Sequence, residues 1–174
     1  MLDLIIKNGK CYIDNELKDV DVSVKDGKIQ DIGKITEDCK DIIDAKGLTV
    51  LPGCIDTQTH FREPGSTDTE DLHSGSRAAI VGGITAVFEM TNTNPPTSNK
   101  KEFQRKLDLA KNRMYCNYAF YFGATADNAK ELSNLKNLEG CCGIKLFAGS
   151  STGNLLVADE KDIETVFKNS SKVV

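Results

Sequence analysis

Four apolar runs constrain the fold of this chain more than any other feature. "LTVLPGCID", "ITAVFEM", "CNYAFYFGA" and "CCGIKLFAG" begin at residues 48, 84, 116 and 141. Continuous apolar runs of this length are the pattern of strands buried on both faces, which is how parallel sheets are built. Each run is followed by a segment with helical periodicity. "TEDLHSGSRAAIVGG" places Leu72, Ser76, Ala79 and Ile80 on one face, with acids in its first turn and Gly82-Gly83 at its end. "NKKEFQRKLDLAKNRM" is amphipathic through Phe103, Leu107, Ala110 and Met114, and Asn99 and Glu102 have the spacing of a capping box. "DNAKELSNLKNL" and "DEKDIETVFKNS" predict a third and a fourth helix. Strand and helix alternating in this way imply a parallel sheet with right-handed crossovers.

Two architectures accept that pattern. An open doubly wound sheet would normally carry a glycine-rich phosphate turn after its first strand, and "DTQTHFREPG" is not one. A (β/α)8 TIM barrel needs about 250 residues, of which residues 51–174 would be the first half. The polar clusters around His60 and Arg62, around Asn92 and Asn94, and at Lys145 all fall at strand C-terminal ends. Barrel enzymes place their chemistry on that rim. The expected fold is therefore α/β, the first four βα units of a TIM barrel, truncated and inactive in isolation because two sheet edges stay unpaired.

Residues 1–50 have another texture, that of a small antiparallel sheet. Asn8-Gly9 in "LIIKNGKCYI" and Asp26-Gly27 in "DVSVKDGKIQDIG" are both hairpin signals.

Charge and composition exclude several functions. Acidic and basic residues are interspersed and sum to -4, which argues against nucleic acid and acidic membranes as partners. The six cysteines include no CxxC pair and no zinc-finger spacing. The N-terminal apolar segment is too short for a signal peptide, and nothing approaches the ~18 apolar residues of a membrane span. The expected compartment is the cytoplasm.

The densest chemistry lies in "DTQTHFREPG". On a strand, Asp56, Gln58 and His60 point to one face, and His60 reads either as a loop histidine or as a metal ligand. Arg62 offers a planar fork for a carboxylate, or else a salt bridge to Glu63 or Asp68. Glu63-Pro64-Gly65 reads as a turn whose carboxylate braces the loop. "EMTNTNPPTSN" is a turn-rich loop that gains interest only if it lies beside His60. Lys145 sits in an apolar strand, where an unpaired charge costs several kcal/mol. Either it forms a carbamate that bridges metals, or it snorkels to water from the strand end. "GSSTGN" lacks the Walker ending and reads as a rim loop. His73 reads as a surface residue.

Taken together, "PGCIDTQTHFREPGSTDTEDLHSGSRAAIVGGITAVFEMTNTNPPT" resembles the N-terminal barrel signature of dihydroorotase, one of the cyclic amidohydrolases of the amidohydrolase superfamily. The leading strands resemble the small β-sandwich beside that barrel. The resemblance implies a TIM-barrel hydrolase that interconverts dihydroorotate and N-carbamoyl-L-aspartate in de novo pyrimidine synthesis, with one or two Zn²⁺ ions. By the same resemblance His60 is a metal ligand, Lys145 the carboxylated bridging lysine, and Arg62 and Asn92 grip the substrate carboxylate. The general base belongs to later strands, so no residue here is assigned that role.

Two residues depart from the pattern. Gln58 replaces the first histidine of the strand and is a weaker zinc donor, and Thr91 replaces a usual proline. Gln58 motivates one alternative, a catalytically silent homologue that serves as a structural partner of aspartate carbamoyltransferase. Another is an allantoinase-like or hydantoinase-like enzyme, although allantoinases share the Glu-Pro-Gly turn and usually lack the arginine. A homo-oligomer is a further partner expectation.

Overall fold

The computed structural model describes residues 1–149 and 153–174. It divides into two compact units, Met1–Pro52 and Gly53–Val174.

The first unit contains strands β1 (Leu2–Lys7), β2 (Lys10–Ile13), β3 (Glu16–Asp19), β4 (Asp21–Lys25), β5 (Lys28–Gly33), β6 (Cys39–Asp44) and β7 (Thr49–Val50). They form two sheets, ordered β5-β4-β1-β6 and β3-β2-β7. Asp26-Gly27 makes the expected two-residue hairpin. Lys25 pairs with Lys28, and φ values of 50° and 72° at the turn are those of a type I′ connection. Asn8-Gly9 does not make a hairpin. Asn8 is left-handed (φ 63°), but β1 pairs with β4 and β6 while β2 pairs with β3 and β7. The turn passes the chain from one sheet to the other. The second hairpin is at Asp14-Asn15, where φ is 53° and 63° and Ile13 faces Glu16. Asp and Asn tolerate left-handed backbone without a glycine. The sheets are also mixed rather than antiparallel throughout, because β6 and β7 run parallel to β1 and β2.

The second unit contains β8 (Cys54–Thr59), α1 (Leu72–Val81), β9 (Ile84–Glu89), α2 (Lys100–Ala110), β10 (Asn117–Gly123), β11 (Cys141–Lys145) and α3 (Glu160–Asn169). The strands are all parallel, in the order β11-β10-β9-β8. Each strand lies beside its predecessor and the order never reverses, so this is a half-barrel sheet rather than a doubly wound one. Its core gathers Leu72, Val87, Phe103, Phe120, Leu132 and Val166.

Helix boundaries follow local chemistry. Asp71 caps α1, accepting from the Ser74 N–H at 2.6 Å, while the Ser74 hydroxyl accepts from the Asp71 N–H. The expected acid in the first turn is thus the cap itself. The buried face of α1 is Leu72, Gly75 and Ser76, and Ile80 lies outside it. Asn99 caps α2 by accepting from the Glu102 N–H. The Glu102 carboxylate turns to Arg105 instead, so only half of the expected box forms.

The third helix is not α-helical. Residues Ala129–Leu135 form a 3₁₀ segment whose buried residues are Ala129, Leu132 and Leu135. A spacing of three matches three residues per turn. Asn128 does not cap this segment; its amide donates to Ser98 O and Gly123 O and ties two loops together. The "GSSTGN" reading falls mostly on residues 150–152, outside the described residues.

Gly75 has no room for a side chain, because an added Cβ would run into the Phe61 ring. In an open helix Gly→Ala gains up to ~1 kcal/mol. Here Gly75→Ala should instead lower the unfolding free energy by about 1–3 kcal/mol through overpacking, read by urea denaturation. Unchanged or higher stability would mean that the Phe61 ring moves aside at no cost.

Candidate functional site

The loops after β8 and β9 meet. The Met90 N–H donates to Thr59 O at 2.9 Å and the Asn94 N–H donates to Pro64 O at 2.9 Å. Between these two fastenings, His60 Nδ1 lies 2.8 Å from Asn92 Oδ1. The amide oxygen only accepts, so Nδ1 is the donor, and in the neutral ring Nε2 keeps its lone pair. The turn-rich loop therefore does lie beside His60. Arg62, with left-handed backbone (φ 58°), joins Ser66, Asn92, Thr93 and Asn94 around a cavity of about 340 Å³. Among the described residues Arg62 pairs with no carboxylate, so the alternative of an ion pair with Glu63 or Asp68 is not realised.

Glu63 is committed elsewhere. It is buried and takes Arg113 through both oxygens, Nη1 to Oε1 at 2.7 Å and Nη2 to Oε2 at 3.2 Å. It also accepts the Leu72 N–H at the start of α1. Hydrogen bonding to Glu63 raises the Arg113 pKa further. Glu63 is thus a brace, and its partner lies fifty residues along the chain.

Beneath these loops is a feature that sequence reasoning missed. Glu89 ends β9 and Lys106 lies on α2; they are 1% and 0% exposed and form an ion pair. Lys106 Nζ also donates to Met90 O at 2.6 Å and sits 5.1 Å from the centre of the Phe120 ring. Glu89 Oε1 accepts the Phe61 N–H at 3.2 Å. Burial pushes the Glu89 carboxyl up to about 7 against the pull of Lys106, and burial pushes Lys106 below the usual lysine value. The signal was present: Phe103, Lys106 and Ala110 share the buried face of α2, and Glu89 interrupts an apolar strand.

Gln58 precedes His60 by two residues on β8, and Lys145 ends β11. Both line a second cavity of about 370 Å³, with Thr57 and Tyr121. Lys145 is the last residue of β11, half-buried, with Nζ 5.0 Å from the centre of the Phe147 ring. It is therefore a strand-end lysine, and the fully buried lysine of this fold is Lys106. The Asp56 carboxylate accepts the Gln58 N–H at 2.9 Å. Among the described residues no hydrogen bond or ion pair joins Gln58 or Lys145 to His60. His73 is a surface residue, as expected, and contacts Tyr115.

Residues 49–164, from the end of the first unit through all four parallel strands, match the model of the amidohydrolase family. The chain belongs to that family. It is 38% identical over 174 residues to an allantoinase of Escherichia coli O1:K1, covering 98% of this chain and 38% of that protein. Among solved structures it is similar to the L-hydantoinase (dihydropyrimidinase) of Arthrobacter aurescens, with a TM-score of 0.87 and 29% identity over 96% of this chain and 38% of that one. A D-hydantoinase matches with a TM-score of 0.84 and 25% identity, over 97% of this chain and 37% of that one. The chain thus spans less than half the length of the relatives it matches. Their names support the wider amidohydrolase family rather than dihydroorotase in particular.

Members of the amidohydrolase superfamily are generally metal-dependent, which sets a test for these side chains. Zinc sites are built from about four donors, or three and a water. His60 Nε2 has the free lone pair a ligand needs, with the other ring nitrogen held as such sites hold it. Among the described residues, however, no group of three or more His, Cys, Asp and Glu is placed to hold an ion. Of the expected set only His60 is of those residue types; Gln58 and a carboxylated Lys145 would have to add an amide oxygen and a carbamate to it.

Thr91, the second departure from the family pattern, is fully buried. Its carbonyl accepts the Thr97 N–H, but its hydroxyl has no hydrogen-bond partner among the described residues. An unpaired buried hydroxyl costs about 1–3 kcal/mol. Thr91→Val keeps the shape and should raise the unfolding free energy by about 1 kcal/mol, read by thermal denaturation. A loss of that size would show that the hydroxyl is bonded in solution.

Proposed function

We propose that this chain is the N-terminal portion of a cyclic amidohydrolase of the allantoinase and hydantoinase kind, which opens a ring amide by hydrolysis. The observation that carries the reading is the His60–Asn92 hydrogen bond beside the Arg62 cavity, at the C-terminal ends of β8 and β9. Neighbouring loops on that rim are where barrel enzymes assemble their sites. The relatives named above agree with the reading, and each is much longer than this chain. In the proposal Asn92 orients His60, and Arg62 with the loop amides orients the ring against the reacting groups. Zn²⁺ is the ion proposed for the complete barrel. His60 Nε2 is the donor this chain supplies in ligand form, with Gln58 and a carboxylated Lys145 as its further candidates; the general base comes from outside these residues.

Dihydroorotate is the second substrate reading, carried by Arg62. A cationic fork with no carboxylate partner among the described residues suits a ring that bears a carboxylate. An uncharged ring would leave that preference unused.

One panel separates the two. The protein expressed from its native gene, with zinc supplied, is offered allantoin, hydantoin, dihydrouracil and dihydroorotate, and ring opening is followed by appearance of the carbamoyl product. Turnover of the uncharged rings supports the first reading. Turnover confined to dihydroorotate, with KM raised about tenfold or more by Arg62→Ala, supports the second. No turnover of any ring would overturn both and favour the silent homologue that Gln58 motivates.

A further inference from the structure

The ion pair between Glu89 and Lys106 does more than fill space. Each partner has one further hydrogen bond, and each bond goes to the backbone of a different site loop. Glu89 Oε1 takes the Phe61 N–H, one residue after His60. Lys106 Nζ donates a hydrogen bond to Met90 O, two residues before Asn92. The route from the His60 loop to the Asn92 loop therefore runs Phe61 N–H, Glu89, Lys106, Met90 C=O, and it is wholly shielded from water. Replacing a buried ion pair as a whole by apolar residues is often neutral for stability, so stability alone does not explain this arrangement.

We propose that Glu89 and Lys106 are positioning residues for the candidate site: through Phe61 and Met90 they set the relative height of the two loops and so hold His60 Nδ1 against Asn92 Oδ1. The inference rests on the reading that these two side chains belong to the working site. It adds two residues that touch no substrate, one on a strand end and one on a helix. The carboxylate is needed for its two oxygens as well as its charge. One faces the backbone N–H and the other the ammonium, and a glutamine would turn an NH₂ group towards one of those donors.

The test uses the gene product with Glu89→Gln, Lys106→Met and the double variant Glu89→Gln/Lys106→Met. The first readout is the ¹⁵N signature of the His60 imidazole by NMR, assigned by difference from His60→Asn. It reports the tautomer whether or not any substrate is known. The parent should show a proton fixed on Nδ1. In every variant that remains folded by circular dichroism, including the double variant with no buried charge, the signature should move towards tautomeric averaging. The second readout is kinetic: kcat should fall about tenfold or more while KM changes less than about threefold, because orientation rather than binding is lost. A folded variant with the parent's His60 signature overturns the proposal, whatever its activity. Should both variants lacking Lys106 unfold, Glu89→Gln decides by the same signature. A parent that opens no ring but shows the tautomer shift in the variants would overturn the functional reading and leave the positioning role standing.

Discussion

Parallel strands laid down in chain order impose one geometric rule on this structure: every strand-to-helix loop emerges at the same end of the sheet. β8 to β11 obey it without reversal. The loops after β8 and β9, which are neighbours in the sheet, must then be neighbours in space. His60 and Asn92, 32 positions apart, meet for that reason. Gln58 and Lys145, on the two edge strands β8 and β11, line one cavity.

Proximity of loops does not by itself set atoms at hydrogen-bonding distance. That is done by two ion pairs, one half-exposed and one fully buried. Glu63 and Arg113 fasten the turn after His60 to the start of α1 and the end of α2, and Glu89 with Lys106 ties the next layer down. A buried ion pair is weak evidence for stability, because desolvation offsets most of the Coulombic gain. The contribution of Glu89–Lys106 is specific geometry, since breaking that pair would leave an uncompensated buried charge and free a loop. Arg62 is the contrasting case: a guanidinium at a cavity wall with no internal carboxylate among the described residues. It is held by left-handed backbone rather than by a partner.

Membership of the amidohydrolase family rests on the match over residues 49–164, and it suits what this half-barrel displays. One histidine has its tautomer chosen by an asparagine, and one arginine faces a cavity. The missing counterparts of a metal centre are consistent with a chain that spans 38% of its relatives' length. Fold and family match agree on the class of protein.

The amino-acid sequence alone determined the elements whose signals are local. Continuous apolar runs fixed four parallel strands, Asp26-Gly27 announced a hairpin, and Asn99 was legible as a helix start. His60 and Arg62 were legible as polar residues at a strand end, whereas the Asn92 loop gained meaning only once it lay beside His60. Only the tertiary structure decided which strands pair, so Asn8-Gly9 became a passage between sheets and Asp14-Asn15 the hairpin. It decided that Ala129–Leu135 winds as a 3₁₀ segment, and that the buried lysine is Lys106 rather than Lys145. Each of those outcomes depends on what packs against a residue, and burial converts a charge that looks like surface into a fixed internal contact. Glu89 and Lys106 read as ordinary charges along the chain; their meaning arises where β9 and α2 close over them and exclude water.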